Sequence, residues 1–562
     1  MGTIHIRARL TVVFLFMLAF GGLISWRLYD IGVRRHAWYA ARAAAQEAGS
    51  SNMLARGSIY LTDGSGNDFL VATNQRYSTL TVAPRLVSPE RRSELEEWLV
   101  LIFPDERERI HDALASDSSG GRAIAHKLTP EQIAVVQKLD DPALSVITEI
   151  DRAYPAGDLA ADVIGFLGYG EHGRAGQYGV ESFYDDALTG SGAPATGSVW
   201  ERLAGGSAAS GAHPRDLVLT IDKNIQAYAA DVLGAVLKRY HASSGTLLVQ
   251  EPATGHLLAV ADSPSFDPNQ YGAAPIASFV DGAVLPFEPG SSFKPVTMAA
   301  GLDSGAVTPD STFDDVGDVV VDGYTIRNFN QGHFGRVTMT TVLEKSINTG
   351  IMHVASLLGD DAFRTAVENS GFGQLTGIDL AGESAGTIQN LYSGRRINTL
   401  TASFGQGITV TPLQLIGFYS AIANGGKLMR PYVVALERDD GAVVRTTQPE
   451  VLGTPMRDTT AAELRGMLVS VVDKGFDKAR ITRYDVAGKT GTAQIASPEG
   501  GYLEGEYNHT FVGFAPASAP RFTILIRMER PRGITFAADS LSPAFRDMAL
   551  FLLNYFSVPP TR

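Results

Sequence analysis

Pro289-Gly290-Ser291-Ser292-Phe293-Lys294 is the stretch on which the reading of this 562-residue chain turns. It holds the one Ser-x-x-Lys in the sequence. On a helix, a spacing of three puts the Ser291 hydroxyl and the Lys294 amine on one face, within reach of each other. A serine hydroxyl is a poor nucleophile until a base takes its proton. A lysine can be that base once burial and neighbouring cations lower its pKa. Pro289-Gly290 interrupts the chain just before, and Pro295 is tolerated only in a first helical turn, so Ser291 is expected at a helix N-terminus, where the dipole favours a forming oxyanion. Taken alone, the pattern equally describes an ordinary helix start with a surface lysine.

Two further motifs follow. Ser346-Ile347-Asn348 offers a hydroxyl for proton relay and an amide for substrate contact, although Ser50-Ser51-Asn52 fits the same template. Lys489-Thr490-Gly491-Thr492 offers a strand edge with a cation and two hydroxyls, which can hold a carboxylate. Gly491, with no side chain, lets a peptide backbone lie close. The bland alternative is a tight turn with a solvated lysine.

Order and spacing raise the specificity of these signals. Ser-x-x-Lys, Ser-x-Asn 55 residues on (346 − 291) and Lys-Thr-Gly 143 further (489 − 346) form the signature set of penicillin-recognising serine enzymes. The chain resembles class B penicillin-binding proteins from about Arg56 to Phe556. Phe287-Glu288-Pro289-Gly290-Ser291 is similar to their nucleophile segment, and Pro264-Ser265-Phe266-Asp267-Pro268-Asn269, Gly405-Gln406-Gly407 and Phe511-Val512-Gly513-Phe514-Ala515-Pro516 to their connecting blocks. Arg56-Gly57-Ser58-Ile59, Arg152-Ala153-Tyr154-Pro155 and Gly179-Val180-Glu181 match their non-catalytic module. One departure is Leu61-Thr62-Asp63-Gly64, where that module usually has Asp-Arg-Asn-Gly.

The resemblance implies a peptidoglycan D,D-transpeptidase that crosslinks stem peptides and is acylated by β-lactams. Carried over, Ser291 is the nucleophile and Lys294 the acylation base. Ser346 is the relay, Asn348 a substrate contact, and Lys489, Thr490, Gly491 and Thr492 form the carboxylate-binding strand, with the N–H groups of Ser291 and Thr492 as oxyanion hole. Glu288 before Pro-Gly-Ser resembles the cell-division type more than the elongation type. A β-lactamase, or a non-catalytic sensor or division scaffold, would share the motifs. The expected partners are stem peptides, β-lactams, the membrane and proteins of a division or elongation complex. No cofactor is implied, and the eleven histidines suggest no metal site.

Composition sets the frame. A hydrophobic fraction of 44% and a charged fraction of 19% describe a globular chain of two or more domains. A net charge of −13 argues against nucleic-acid binding. With no cysteine, disulfides, thiolate metal sites and a Cys nucleophile are excluded. Leu10–Trp26 carries no charge, and as a helix it would span roughly 26 Å, close to a hydrocarbon layer of roughly 30 Å. It is expected to be an uncleaved anchor, with a cleaved signal peptide as the alternative. The expected organisation is a cytoplasmic tail over 1–9, a transmembrane anchor over 10–28, a β-rich pedestal or dimerisation domain over 50–212 and a transpeptidase domain over 216–562. That places the protein in the bacterial cytoplasmic membrane, single-pass, with the catalytic domain outside. Residues 36–53 read as a helix leading off the membrane, and the Gly/Ser/Ala-rich run 190–214 as a flexible connection.

The predicted elements give an α+β class. Asp222 caps a helix whose apolar positions Ile225, Ala229, Val232, Leu233 and Val236 recur at helical spacing. Thr246–Gln250 with His256–Val260, and Thr510–Phe514 with Phe522–Met528, read as strand pairs. Ser542-Pro543 reads as the start of a last helix. Together they predict helices on both faces of an antiparallel sheet.

Overall fold

The computed structural model describes residues 56–190 and 213–562 except 119, 171, 172, 330, 331 and 498, and also residues 17, 20–27 and 29. The chain forms two compact units, one of Met1–Arg56 with Asn74–Ala153, the other of Gly57–Thr73 with Tyr154–Arg562.

In the smaller unit the helices Pro89–Ile102, Arg107–Ala115 and Pro130–Lys138 accompany the strands Arg122–Ala125 and Leu144–Ala153 and the second part of Asp68–Val82. Leu80, Val82, Leu95, Leu99, Phe103, Ile110, Leu114 and Ile124 form its core. Residues 90–110 fall in two helices rather than one, because Pro104 cannot donate the N–H that would carry the first one on. This unit is therefore mixed α and β rather than β-rich.

The larger unit is built on a five-stranded antiparallel sheet. We label its strands β1 (Ser244–Gln250), β2 (Leu257–Ser263), β3 (Ala487–Ala496), β4 (Tyr502–Ala515) and β5 (Phe522–Glu529). The order is β3-β4-β5-β1-β2, so β3 is an edge. Side-chain alternation gives the sheet two apolar faces. Leu247, Val249, Phe511, Ile524 and Ile526 pack with Ile225, Ala229 and Leu233 of α1 (Lys223–Tyr240) and with Leu541, Phe545 and Met548 of α2 (Ala537–Tyr555). Leu248, Val512, Phe514 and Leu525 belong to a second core with Leu415, Ile416 and Phe418 of α3 (Pro412–Ala423). Covered on both faces, the central strand β5 is buried almost throughout. Asp222 caps α1 as expected, its carboxylate accepting from the N–H of Asn224 and Ile225.

One expected boundary is wrong. The last helix starts at Ala537, and Ser542 and Pro543 lie inside it. Proline is usual in a first turn, but here packing of Ala537, Leu541 and Phe545 onto the sheet outweighs the lost backbone hydrogen bond.

Residues 20–27 are helical, with Phe20, Leu23, Ile24 and Trp26 exposed. Among the described residues no helix is long and apolar enough to cross a membrane. Most of the expected anchor, the expected helix over 36–53 and most of the 190–214 connection lie outside the described residues.

Candidate active site

Gly290–Phe293 forms one 3-10 turn that runs directly into the helix Lys294–Asp303, with Pro295 in its first turn. In a 3-10 turn residues i and i+3 eclipse, so Ser291 and Lys294 share a face, and the Lys294 N–H donates to the Ser291 carbonyl. Gly290 has φ +55°, a conformation that costs a side-chain-bearing residue energy. The turn is tied down around its circumference. The Gly290 N–H donates to Gly405 O at 3.0 Å, the Tyr419 hydroxyl to Ser292 O at 2.8 Å, and the Ser292 hydroxyl to Pro289 O at 2.7 Å. The Gly405-Gln406-Gly407 block therefore lies against the nucleophile segment.

Ser346 sits between the helices Met339–Glu344 and Asn348–Leu358 with φ +55°, a left-handed conformation rare for serine. In that conformation one residue presents two oxygens to Lys294. Lys294 Nζ lies 2.5 Å from Ser346 O, 3.0 Å from Ser346 Oγ and 2.7 Å from Asn348 Oδ1. Lys489 Nζ lies 3.1 Å from the same Ser346 Oγ and donates to Thr490 O at 3.1 Å. The structure thus brings Lys294, Ser346, Asn348 and Lys489 into one hydrogen-bonded cluster.

Both amines are fully buried. Burial, and then the charge of Lys489, hold Lys294 well below the usual lysine range. Burial pulls Lys489 down to about 7. A neutral Lys294 keeps two N–H groups, which match Ser346 O and Asn348 Oδ1, and its lone pair is left for a hydroxyl proton. Once protonated, its third N–H meets Ser346 Oγ.

The Lys489-Thr490-Gly491-Thr492 motif lies on edge strand β3, paired with β4 through Lys489↔Val512 and Thr492↔His509. Thr490 is buried and Thr492 half-buried, its Oγ1 accepting from the Ala537 N–H at 3.1 Å. A methyl group on Gly491 would stand 2.6 Å from Pro289 O, closer than real contacts allow. The expected reason for this glycine, room for a substrate backbone, is thus joined by a second, room for the nucleophile turn itself.

Asn328 contributes without a sequence signal, and Glu288 does so by contacts its motif does not reveal. Asn328 Oδ1 accepts from the Asn348 N–H at 2.9 Å, and Asn348 Nδ2 donates to Arg327 O at 3.0 Å. Glu288 accepts from the Gly407 N–H at 3.1 Å and from the Tyr502 hydroxyl at 3.2 Å, which ties the β3–β4 hairpin to the nucleophile segment.

A serine on a helix-initiating turn, three residues before a fully buried lysine on the same face, is an arrangement suited to a serine acyltransferase. The chain belongs to the penicillin-binding protein transpeptidases: residues 245–549 match the penicillin-binding protein transpeptidase domain, and residues 53–196 the penicillin-binding protein dimerisation domain. This is the class B pairing of modules. Stage V sporulation protein D of Bacillus subtilis is 30% identical, the match spanning 88% of this chain and 78% of that protein. Penicillin-binding protein PbpB of Mycobacterium tuberculosis is 30% identical over 93% of this chain and 81% of its own length. Peptidoglycan D,D-transpeptidase FtsI of Escherichia coli is 29% identical over 78% and 73%. The crystal structure of penicillin-binding protein 3 from Mycobacterium tuberculosis complexed with aztreonam superposes with a TM-score of 0.69 at 26% identity, covering 91% of this chain and 98% of that one.

Proposed function

We propose that this protein is a peptidoglycan D,D-transpeptidase that crosslinks stem peptides through a Ser291 acyl-enzyme and serves septal wall synthesis. The observation that carries the reading is the Ser346 hydroxyl poised 3.0 Å from Lys294 Nζ and 3.1 Å from Lys489 Nζ, with Lys294 one 3-10 turn after Ser291. Relatives named FtsI and PbpB support the division role over the elongation role.

In this mechanism neutral Lys294 takes the Ser291 proton as Oγ attacks the carbonyl carbon before the terminal D-Ala. The tetrahedral oxyanion is stabilised by the N–H groups of Ser291 and Thr492, each such donor contributing about 100- to 1000-fold in rate. The proton passes from Lys294 through Ser346 to the departing amine, the C–N bond breaks, and D-Ala leaves. An amine of a neighbouring stem peptide then attacks the ester, its proton returns by the same route to Ser291, and the new amide is released. Lys489, Thr490 and Thr492 hold the donor carboxylate, and Asn348 contacts the donor amide. A β-lactam enters as the same kind of amide but keeps its leaving group tethered, so the ester persists.

Fluorescent-penicillin labelling tests this directly. Wild type becomes labelled and retains label for minutes, and Ser291→Ala does not. An unlabelled wild type, or equal labelling of Ser291→Ala, overturns the assignment, and release within seconds indicates a hydrolase.

Residues 10–28 anchor the protein in the cytoplasmic membrane in this reading, with the catalytic unit outside. The charge-free run Leu10–Trp26 and the helix at 20–27 support it. Carbonate-resistant membrane association that is lost on deleting residues 1–28 is the expected result.

A further inference from the structure

Asn348 touches Lys294, and something must hold Asn348. Its side-chain amide is held at both ends, each keeping one site for a substrate amide: Oδ1 receives Lys294 Nζ at 2.7 Å, and Nδ2 donates to Arg327 O at 3.0 Å. Its main-chain N–H, at the start of the helix Asn348–Leu358, would be without an intrahelical partner. Asn328 Oδ1 fills that role, accepting from the N–H of Asn348 at 2.9 Å and from the N–H of Thr349 at 3.3 Å. A side chain twenty residues upstream thus acts as a helix cap.

Asn328 is itself fixed. It is 3% exposed, and its Nδ2 group donates to both carboxylate oxygens of Asp315, at 3.2 and 3.1 Å, and to Gly332 O at 3.0 Å. Asp315, 2% exposed, closes the loop by accepting from the Thr349 hydroxyl at 2.5 Å and from the N–H groups of Phe334 at 2.8 Å and Gly317 at 3.1 Å. Both side-chain polar atoms of Asn328 have partners, and satisfied buried networks of this kind hold one geometry. None of these groups reaches Ser291, so the network acts only through what it positions.

We propose that Asn328, braced by Asp315, is a positioning residue for the transpeptidase reaction: it fixes Asn348, and through Asn348 the Lys294 amine, against Ser291. The inference rests on the acyl-transfer reading above. The amide at 328 satisfies both the helix start and the carboxylate at once, which no aliphatic side chain can do. A carboxylate at 328 would keep the cap but face Asp315 with like charge. A reciprocal exchange, with the carboxylate at 328 and the amide at 315, restores one donor–acceptor pair between them.

The test is the second-order rate of acylation of the full-length protein by fluorescent penicillin, measured against pH, in wild type, Asn328→Ala, Asn328→Asp and the double variant Asp315→Asn/Asn328→Asp. Losing a hydrogen bond that orients a charged group predicts a plateau rate lower by about 10- to 100-fold in Asn328→Ala. Asn348 Oδ1 favours the ammonium form of Lys294, so its displacement moves the acid limb of the profile to lower pH. Asn328→Asp alone is similarly slow, and the double variant recovers most of the rate. Acylation of Asn328→Ala within twofold of wild type overturns the proposal. So does a lower rate with an unmoved acid limb and no recovery in the double variant, the pattern of general loosening. If Asn328→Ala does not fold, Thr349→Val, which removes the hydroxyl's bonds to Asp315 and Asn328 and no backbone contact, carries the same comparison: a slowed plateau with a shifted limb supports the inference, and a wild-type profile defeats it. An unlabelled wild type defeats the functional reading itself and is thereby distinguished from failure of this inference.

Discussion

Lys294 and Lys489 converge on one hydroxyl: their Nζ atoms lie 3.0 and 3.1 Å from Ser346 Oγ. Two buried amines around one oxygen cannot both carry charge cheaply, and the arrangement keeps one of them neutral and basic.

Replacing Lys489 by methionine tests that coupling. Acylation requires neutral Lys294, and the Lys489 charge lowers the pKa of Lys294. Without it Lys294 stays protonated to higher pH, so the acid limb of the acylation profile moves alkaline. The plateau falls by about 100-fold or more as the substrate-side cation is lost. Stopped-flow acylation across pH 5–9 measures both.

The same substitution reports on stability. Lys489 has a folded pKa of about 7 against 10.5 in the open chain. Between those values the unfolded chain binds more protons than the folded one, so wild-type stability rises with pH across that window. A group fully neutral when folded and fully charged when unfolded contributes about 1.4 kcal/mol per pH unit. In Lys489→Met this contribution disappears, and urea unfolding from pH 7 to 10 shows a flatter dependence than wild type.

Ser346→Gly separates fold from chemistry. Glycine adopts φ +55° without the cost that serine bears there, about 1 kcal/mol, so the melting temperature is unchanged or slightly higher. The relay hydroxyl is gone, and acylation falls by about 100- to 10,000-fold. Calorimetry alongside penicillin labelling resolves the two effects.

Gly491→Ala forces the opposite outcome. The new methyl group meets Pro289 O at 2.6 Å, a backbone atom that cannot swing aside. The variant loses about 1–3 kcal/mol, and the displaced nucleophile turn reacts more slowly with penicillin. A lower melting temperature with a wild-type acylation rate contradicts this account of the turn.

The three motifs were legible because each packs its chemistry into three or four consecutive residues, and chain order did the rest. Residues 55 and 143 apart cannot be placed together by pattern, yet Ser346 and Lys489 both arrive at Lys294 because β3 is an edge strand and the Ser346 turn is left-handed. Asn328 and Asp315 were invisible for a related reason. Their partners are mostly backbone N–H groups and carbonyls, which every residue has, and no spacing distinguishes them. The start of α2 was misread because Pro543 spoke for a first turn while the packing of Ala537 and Leu541, a tertiary matter, decided it. The strands were easier, since a short apolar run bounded by turn residues marks a strand even when both of its faces are buried.

Gly290 and Gly491 let two stretches of main chain approach so closely that backbone atoms and the short side chains of Ser292 and Ala493 gauge the gap at the nucleophile. The aperture of the catalytic slot is therefore insulated from drift in the surrounding side chains. Evolution can re-upholster the walls, and so change which amides are admitted, while the reacting atoms keep their spacing.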